Sequence, residues 1–208
     1  MTGFILKDLL TLRRYMKLVA FAMAVFAVMT WYLDNPAVVS AMIAVQFAML
    51  PVASFSYDHQ ARWELFAQTL PVSRREIVAS KYVLSIAFSA LGTIVGVGLA
   101  LGVCLLKGEP AESRDVALAG GFIFGASLLF QSVMIPLIFK FGVEKSRFML
   151  LTVMGIAALL GALANMPFMD WLAETSPEAL MAGALAGAVM LTAVSFFISR
   201  AIYEARDI

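Results

Sequence analysis

Charge is scarce in this sequence. Of its 208 residues 14% are charged and 62% hydrophobic, where a soluble domain carries roughly 25% charge. The mean hydropathy of +0.91 excludes an ordinary soluble domain and points to a chain that lives in lipid. A net charge of only +1 lacks the basic face of a nucleic-acid binder. The one cysteine, Cys104, excludes an internal disulfide or a cysteine-based metal site; it lies in an apolar run, as a small buried thiol would. The one histidine, His59, cannot anchor a multi-histidine metal centre. None of the 14 glycines is followed by lysine, which removes the phosphate-cradling GxxxxGKS or GxxxxGKT loop, and HExxH and GxSxG are missing too. No catalytic, metal or cofactor residue is therefore expected on this chain.

What is present is a series of six apolar runs. They cover residues 18–33, 36–57, 82–106, 116–139, 148–168 and 179–199, and none contains Asp, Glu, Lys, Arg or His. Each is close to the roughly 20 residues needed to cross a bilayer as a helix. Backbone groups in lipid must pair within their own element, so the runs are expected as helices. The first could be read as a cleaved signal peptide, but no small-x-small cleavage site follows it, and it is expected to be retained as a span. The fold class expected is an all-α integral membrane protein: one transmembrane domain over 1–208, with six spans, an amphipathic interfacial helix over 1–17 and a short helix in the loop 58–81.

Charge orients the spans. Lys7, Arg13, Arg14, Lys17, Arg62, Arg74, Arg75, Lys81, Lys140, Lys145, Arg147, Arg200 and Arg206 fall on one side; only Lys107 and Arg114 fall on the other. That asymmetry places both termini of a multi-pass membrane protein in the cytoplasm. Asn35-Pro36 and Ser176-Pro177-Glu178 read as helix starts on the outer side. Ser73-Arg74-Arg75-Glu76 reads as a capping box that starts span 3 in the cytosol, with Val72 and Ile77 as its staple.

Few residues within the spans are polar, and none is ionisable, which disfavours an ion-driven transporter. Gln46, Ser54, Ser89, Thr93, Ser127, Gln131, Ser132, Thr152, Asn165, Thr192 and Ser195 read for the most part as helix–helix hydrogen bonds, with a place on a substrate path as the lesser reading for Gln131. Gly92, Gly96, Gly98 and Gly102, with Gly121, Gly125, Gly183 and Gly187, recur at spacings that let helices approach closely, within one chain or between two. Pro51 and Pro136 should kink their helices or free a carbonyl. The many methionines and phenylalanines (13 and 16) suit variable greasy cargo or simply lipid.

The stretch FSYDHQARWELFAQTLPVSRREI (residues 55–77) stands apart in charge and aromatics. Asp58 can cap a helix from about His59 to Leu70. Trp63, Phe66 and Leu70 share a stripe, flanked by Arg62 and Glu64, and Pro71 ends the helix. The expected product is a short rigid helix lying along the membrane, either resting on lipid or gripped by a partner protein.

These residues carry a resemblance. The stretch above with its continuation VASKY, together with IPLIFKFGVEKSR (135–147) and FILKDLLTLRRY near the N-terminus, resembles the cytoplasmic segments of permease subunits of type-2 ABC exporters. The likeness is to a small bacterial branch similar to exporters of phenol-soluble modulins and antimicrobial peptides, and it covers the whole chain. It implies a coupling helix that docks on a separately encoded ABC ATPase. Asp58, Arg62, Trp63, Glu64, Phe66, Pro71, Arg74, Arg75 and Glu76 would lie in or beside that helix. Lys140, Phe141, Gly142, Glu144, Lys145 and Arg147 would form a lesser cytosolic contact. ATP and Mg would then sit on the partner. The resemblance also implies a second permease subunit, in a homo- or heterodimer, and hydrophobic or amphipathic cargo such as peptides. Many relatives have re-entrant outer helices before the last span; only Asn165–Ser176 is available for them here. A non-transporting scaffold or immunity protein that uses the same loop is the alternative of another class. A membrane enzyme is disfavoured, because no pair of catalytic side chains lies at one depth.

Overall fold

The computed structural model describes residues 2–13, 15–32, 36–67, 72–108, 113–163 and 174–205, and all regular structure among them is helical. In chain order the helices are α1 (Thr2–Leu12), α2 (Met16–Tyr32), α3 (Pro36–Gln60), α4 (Trp63–Ala67), α5 (Arg74–Lys107), α6 (Ser113–Phe141), α7 (Val143–Leu163) and α8 (Pro177–Glu204). Four of them, α3, α5, α6 and α8, are long and apolar enough to cross a membrane. The apolar helix α2 is 17 residues long, and α7 is 21. Asn35, Pro71 and most of the segment before Ser176 lie outside the described residues.

The 34-residue α5 is about 51 Å long at 1.5 Å per residue, well beyond the roughly 30 Å of bilayer hydrocarbon. Its first turns therefore stand outside the membrane. The expected capping box forms there: Ser73 Oγ accepts from the Glu76 backbone N–H, and the Glu76 carboxylate accepts from the Ser73 backbone N–H. Ser176 caps α8 in the same way, with proline in the first turn.

Two helix pairs carry the bundle, α3 on α5 and α6 on α8. Glycine sets the first pair. A Cβ on Gly96 would lie 2.7 Å from the Ser40 carbonyl oxygen, and one on Gly92 would lie 2.5 Å from Phe47 Cβ. Ser40 Oγ also donates to the Gly96 carbonyl at 3.1 Å. These glycines thus serve packing within the chain, whereas a side chain on Gly98 or Gly102 would meet nothing.

Proline sets a crossing in the second pair. Pro136 has no N–H for the Ser132 carbonyl four residues earlier. Ser195 Oγ, from α8, donates to that carbonyl at 2.6 Å. Having given up its proton there, Ser195 accepts from Tyr82 OH at 2.6 Å, so Ser199 Oγ donates to Tyr82 at 2.8 Å. This chain of hydroxyls joins α5, α6 and α8, and each bond polarises the next. Gln131 Nε2 donates to Ser89 Oγ at 2.8 Å across α5 and α6.

Gly96→Ala is expected to destabilise the protein by about 1–3 kcal/mol through overpacking. Gly98→Ala should be neutral or slightly stabilising, since it adds helix propensity without a clash. Thermal unfolding in detergent reads both; equal Tm values for the two variants would contradict the close approach.

Candidate functional site: the charged end of the bundle

Near the starts of α1 and α5 and the end of α3, four charges meet. Lys81 Nζ lies 2.9 Å from Asp8 Oδ2 and 2.6 Å from Asp58 Oδ2. Lys7 Nζ lies 2.5 Å from Asp58 Oδ1 and 3.0 Å from Asp8 Oδ1. Each lysine bridges both aspartates, so the group is a closed ring of alternating sign with no net charge. Lys81 also donates to Ser54 Oγ at 2.8 Å. The Lys7–Asp8 contact satisfies the ion-pair distance but not hydrogen-bond geometry, and Asp8 Oδ1 accepts no hydrogen bond. The ring is graded in depth: side-chain exposure is 1% for Asp8 and 5% for Lys81, but 24% for Lys7 and 14% for Asp58.

This ring corrects three expectations. First, Asp58 does not cap a helix from His59 to Leu70. α3 runs on through Gln60, with Ala61 N–H donating to the Tyr57 carbonyl. Arg62 then turns the chain at φ 50°, and α4 is only five residues, Trp63–Ala67. Two lysines at ion-pair distance hold the Asp58 carboxylate more strongly than one capping N–H would. Residues 68–71, with Leu70 and Pro71, lie outside the described residues. Second, Lys81 is not a solvated loop charge; it is buried inside α5. Third, α1 turns its charged side inward. Asp8 is buried and Lys7 half-buried, while Leu6, Leu9 and Leu10 face outward, each about half exposed. The mix of apolar and charged residues marked the helix as amphipathic but not which side meets protein.

A sequence signal for the ring existed. Asp58 directly follows one apolar run and Lys81 directly precedes the next, so opposite charges stand at one membrane depth. Reading loops only by the sum of their positive charge hid the pairing.

The other expected residues divide into those bonded into the fold and those with exposed side chains. Trp63 is half-buried, edge-on to Phe4 at 6.3 Å, with Lys7 Nζ 4.3 Å from its ring centre. Arg74 donates to the carbonyls of Tyr203 and Glu204 at 3.2 and 2.9 Å, closing the C-terminal end of α8. Glu76 is held in the capping box; the Ser73 backbone N–H, then its hydroxyl, keep this carboxyl below its ordinary pKa. Arg62, Phe66 and Arg75 are exposed, as are Lys140, Glu144, Lys145 and Arg147, with Phe141 half-buried. Lys140 Nζ lies 5.2 Å from the Phe141 ring centre. Glu64 belongs to α4. Gly142, at φ 81°, adopts the left-handed turn that lets α7 follow α6 with one residue between them.

The two expected cytosolic segments come together. A cavity of about 280 Å³ is lined by Phe4, Asp58 and Trp63 on one side and Phe139, Lys140 and Lys145 on the other. A second, of about 510 Å³, lies between Tyr57 and Gln60 and the Glu144–Arg147 turn of α7. Both share His59, Phe141, Gly142, Val143 and Lys145, so one cleft follows the α6–α7 turn. Below it, Phe55 and Phe139 meet edge-on at 5.2 Å, and Phe139 meets Tyr203 at 5.5 Å. No group of His, Cys, Asp and Glu among the described residues is arranged to hold a metal ion.

Four of the helices are long and apolar enough to cross a membrane, and the cleft opens at one end of their bundle. The family model described as ABC-2 family transporter protein matches residues 3–204, and the chain belongs to that family. It is thus a membrane permease component of an ABC transporter, with catalysis left to a partner ATPase. Neither curated proteins nor solved structures give a match to this chain.

Lys81→Met leaves the aspartate pair with one lysine in a desolvated place, and removing one partner of a buried pair costs about 3–5 kcal/mol. Arg75→Met, at an exposed position, should change stability by less than about 0.5 kcal/mol. Unfolding in detergent should separate the two; a Lys81→Met protein as stable as wild type would remove the ring's structural role.

Proposed function

We propose that this chain is the transmembrane subunit of an ATP-driven exporter and moves hydrophobic or amphipathic cargo, peptides in the first place, out of the cell. A separately encoded ATPase docks on the cytosolic face formed by residues 58–76 and 140–147, and ATP and Mg reside on that partner. Six spans, with α2 and α7 completing the four long ones, place both termini in the cytoplasm of a bacterial plasma membrane. Two permease subunits, identical or sister chains, enclose the path.

The observation that carries this reading is the cleft between the two cytosolic segments in a chain of this family. It offers an exposed aromatic side chain, Phe66, and exposed basic groups at Arg62, Arg75, Lys145 and Arg147, all within reach of a protein approaching from the cytosol. Closure of two ATPases against these segments would rotate the ends of α3, α5 and α6 and change access between the two permeases.

The test is purification of the chain from its native membrane in mild detergent, with and without crosslinking. An ATPase subunit is expected to accompany it. Phe66→Ala with Arg75→Glu should weaken that association by at least about tenfold, or 1.4 kcal/mol, with no change in Tm. If no ATPase accompanies the intact chain, the exporter reading fails and a scaffold that uses the same loop takes its place.

A further inference from the structure

The geometry points to Lys7 as the positioning residue that transmits motion of the docking segment into the membrane helices. This inference rests on the proposed docking of an ATPase on that segment.

Lys7 touches three things at once. Its ammonium pairs with Asp58 at 2.5 Å, four residues before the strained left-handed Arg62. It pairs with Asp8 at 3.0 Å, on its own helix. It also stands 4.3 Å from the Trp63 ring centre, on α4. No covalent path shorter than 51 residues links it to Asp58. The described part of α4 is the five residues Trp63–Ala67. Its place is set by Trp63 against Phe4 and Lys7.

The graded burial of the ring says which half can yield. Lys81 and Asp8 are sealed, at 5% and 1% side-chain exposure, and separating them would strand charge in a dry place. Lys7 and Asp58, at 24% and 14%, reach water, so their contact can break and re-form at modest cost. A partner that draws Trp63 outward therefore acts first on Lys7. Lys7 can follow α4, leaving Asp58 to Lys81, or stay with Asp58 and hold α4 down. These two arrangements form a discrete element that the docked ATPase can bias, as transmission requires. In both, Lys81 keeps α3 and α5 together, so α1 and α4 shift relative to that pair.

The test has two arms on the full-length chain, with Lys7→Met and Lys7→Arg. In the first arm the chain is alone in detergent, with Trp31 and Trp171 replaced by Phe so that Trp63 is the single fluorophore. Acrylamide quenching of Trp63 should rise in Lys7→Met and return towards wild type in Lys7→Arg. In the second arm the chain is reconstituted with its ATPase in proteoliposomes, with a dye-labelled amphipathic helical peptide as probe cargo. Lys7→Met should leave the half-saturating ATPase concentration and Tm unchanged but lower transport per ATP by about tenfold, within the usual range of coupling between sites. Lys7→Arg should restore most of it.

A merely structural role would lower Tm and all activities together, and that result overturns the inference. So does unchanged quenching, or a Trp63 set free while transport per ATP stays at the wild-type value. If the wild-type chain binds no ATPase, the proposed function fails and transmission with it, while the quenching arm still decides whether Lys7 holds α4.

Discussion

Four charges meet at one end of the bundle, two of them, Asp8 and Lys81, almost wholly out of water. A lysine or aspartate moved alone into an apolar place loses several kcal/mol of hydration. Here two of each sign alternate in a ring, so every charge has two opposite neighbours within 3.0 Å. Neutral overall, the ring keeps its buried half, Asp8 and Lys81, paired, and separating those two would strand charge in a dry place. Its members come from α1, the end of α3 and the first turns of α5, which fixes three sequence-distant segments against one another. The aromatic contacts of Phe4, Trp63, Phe55 and Phe139 then build outward from that point, and the cleft between the two cytosolic segments opens beside it.

Deeper in the membrane the same rule acts through neutral groups. Pro136 withholds a donor from the Ser132 carbonyl, and α8 supplies one through Ser195. Gly92 and Gly96 leave out side chains so that α3 and α5 can meet backbone to backbone. In lipid there is no hydrophobic drive to press helices together, so close packing and shared hydrogen bonds must do it. Each helix pair is specified by a residue that lacks something: a Cβ in one, an N–H in the other.

Local rules made much of this legible in the sequence. The capping box at Ser73 and the cap at Ser176 depend on residues three apart, and both stand where the sequence puts them. The glycine spacing along α5 and the freed carbonyl at Pro136 follow from helix geometry. The Asp58 partnership was not legible in that way. Capping and ion pairing compete for one carboxylate, and the winner is decided by Lys7 and Lys81, 51 and 23 residues away. The inward turn of Lys7 and Asp8 escaped for a related reason: a two-sided helix beside a membrane can give either side to the protein. The proposed docking surface was legible only as a set of residues. Which of them are bonded into the fold (Asp58, Trp63, Arg74, Glu76) and which present exposed side chains (Arg62, Phe66, Arg75) needed the structure.

The central claim is that Asp58 and Lys81 stabilise the bundle through each other. A double-mutant cycle of Asp58→Asn and Lys81→Met, read by unfolding in detergent, tests it most directly. The ring predicts a coupling energy of about 1–3 kcal/mol, with the double variant more stable than the sum of the single losses implies. Losses that add to within about 0.5 kcal/mol would show two independent side chains, and the ring would not be what holds α3 and α5 together at the cytosolic face.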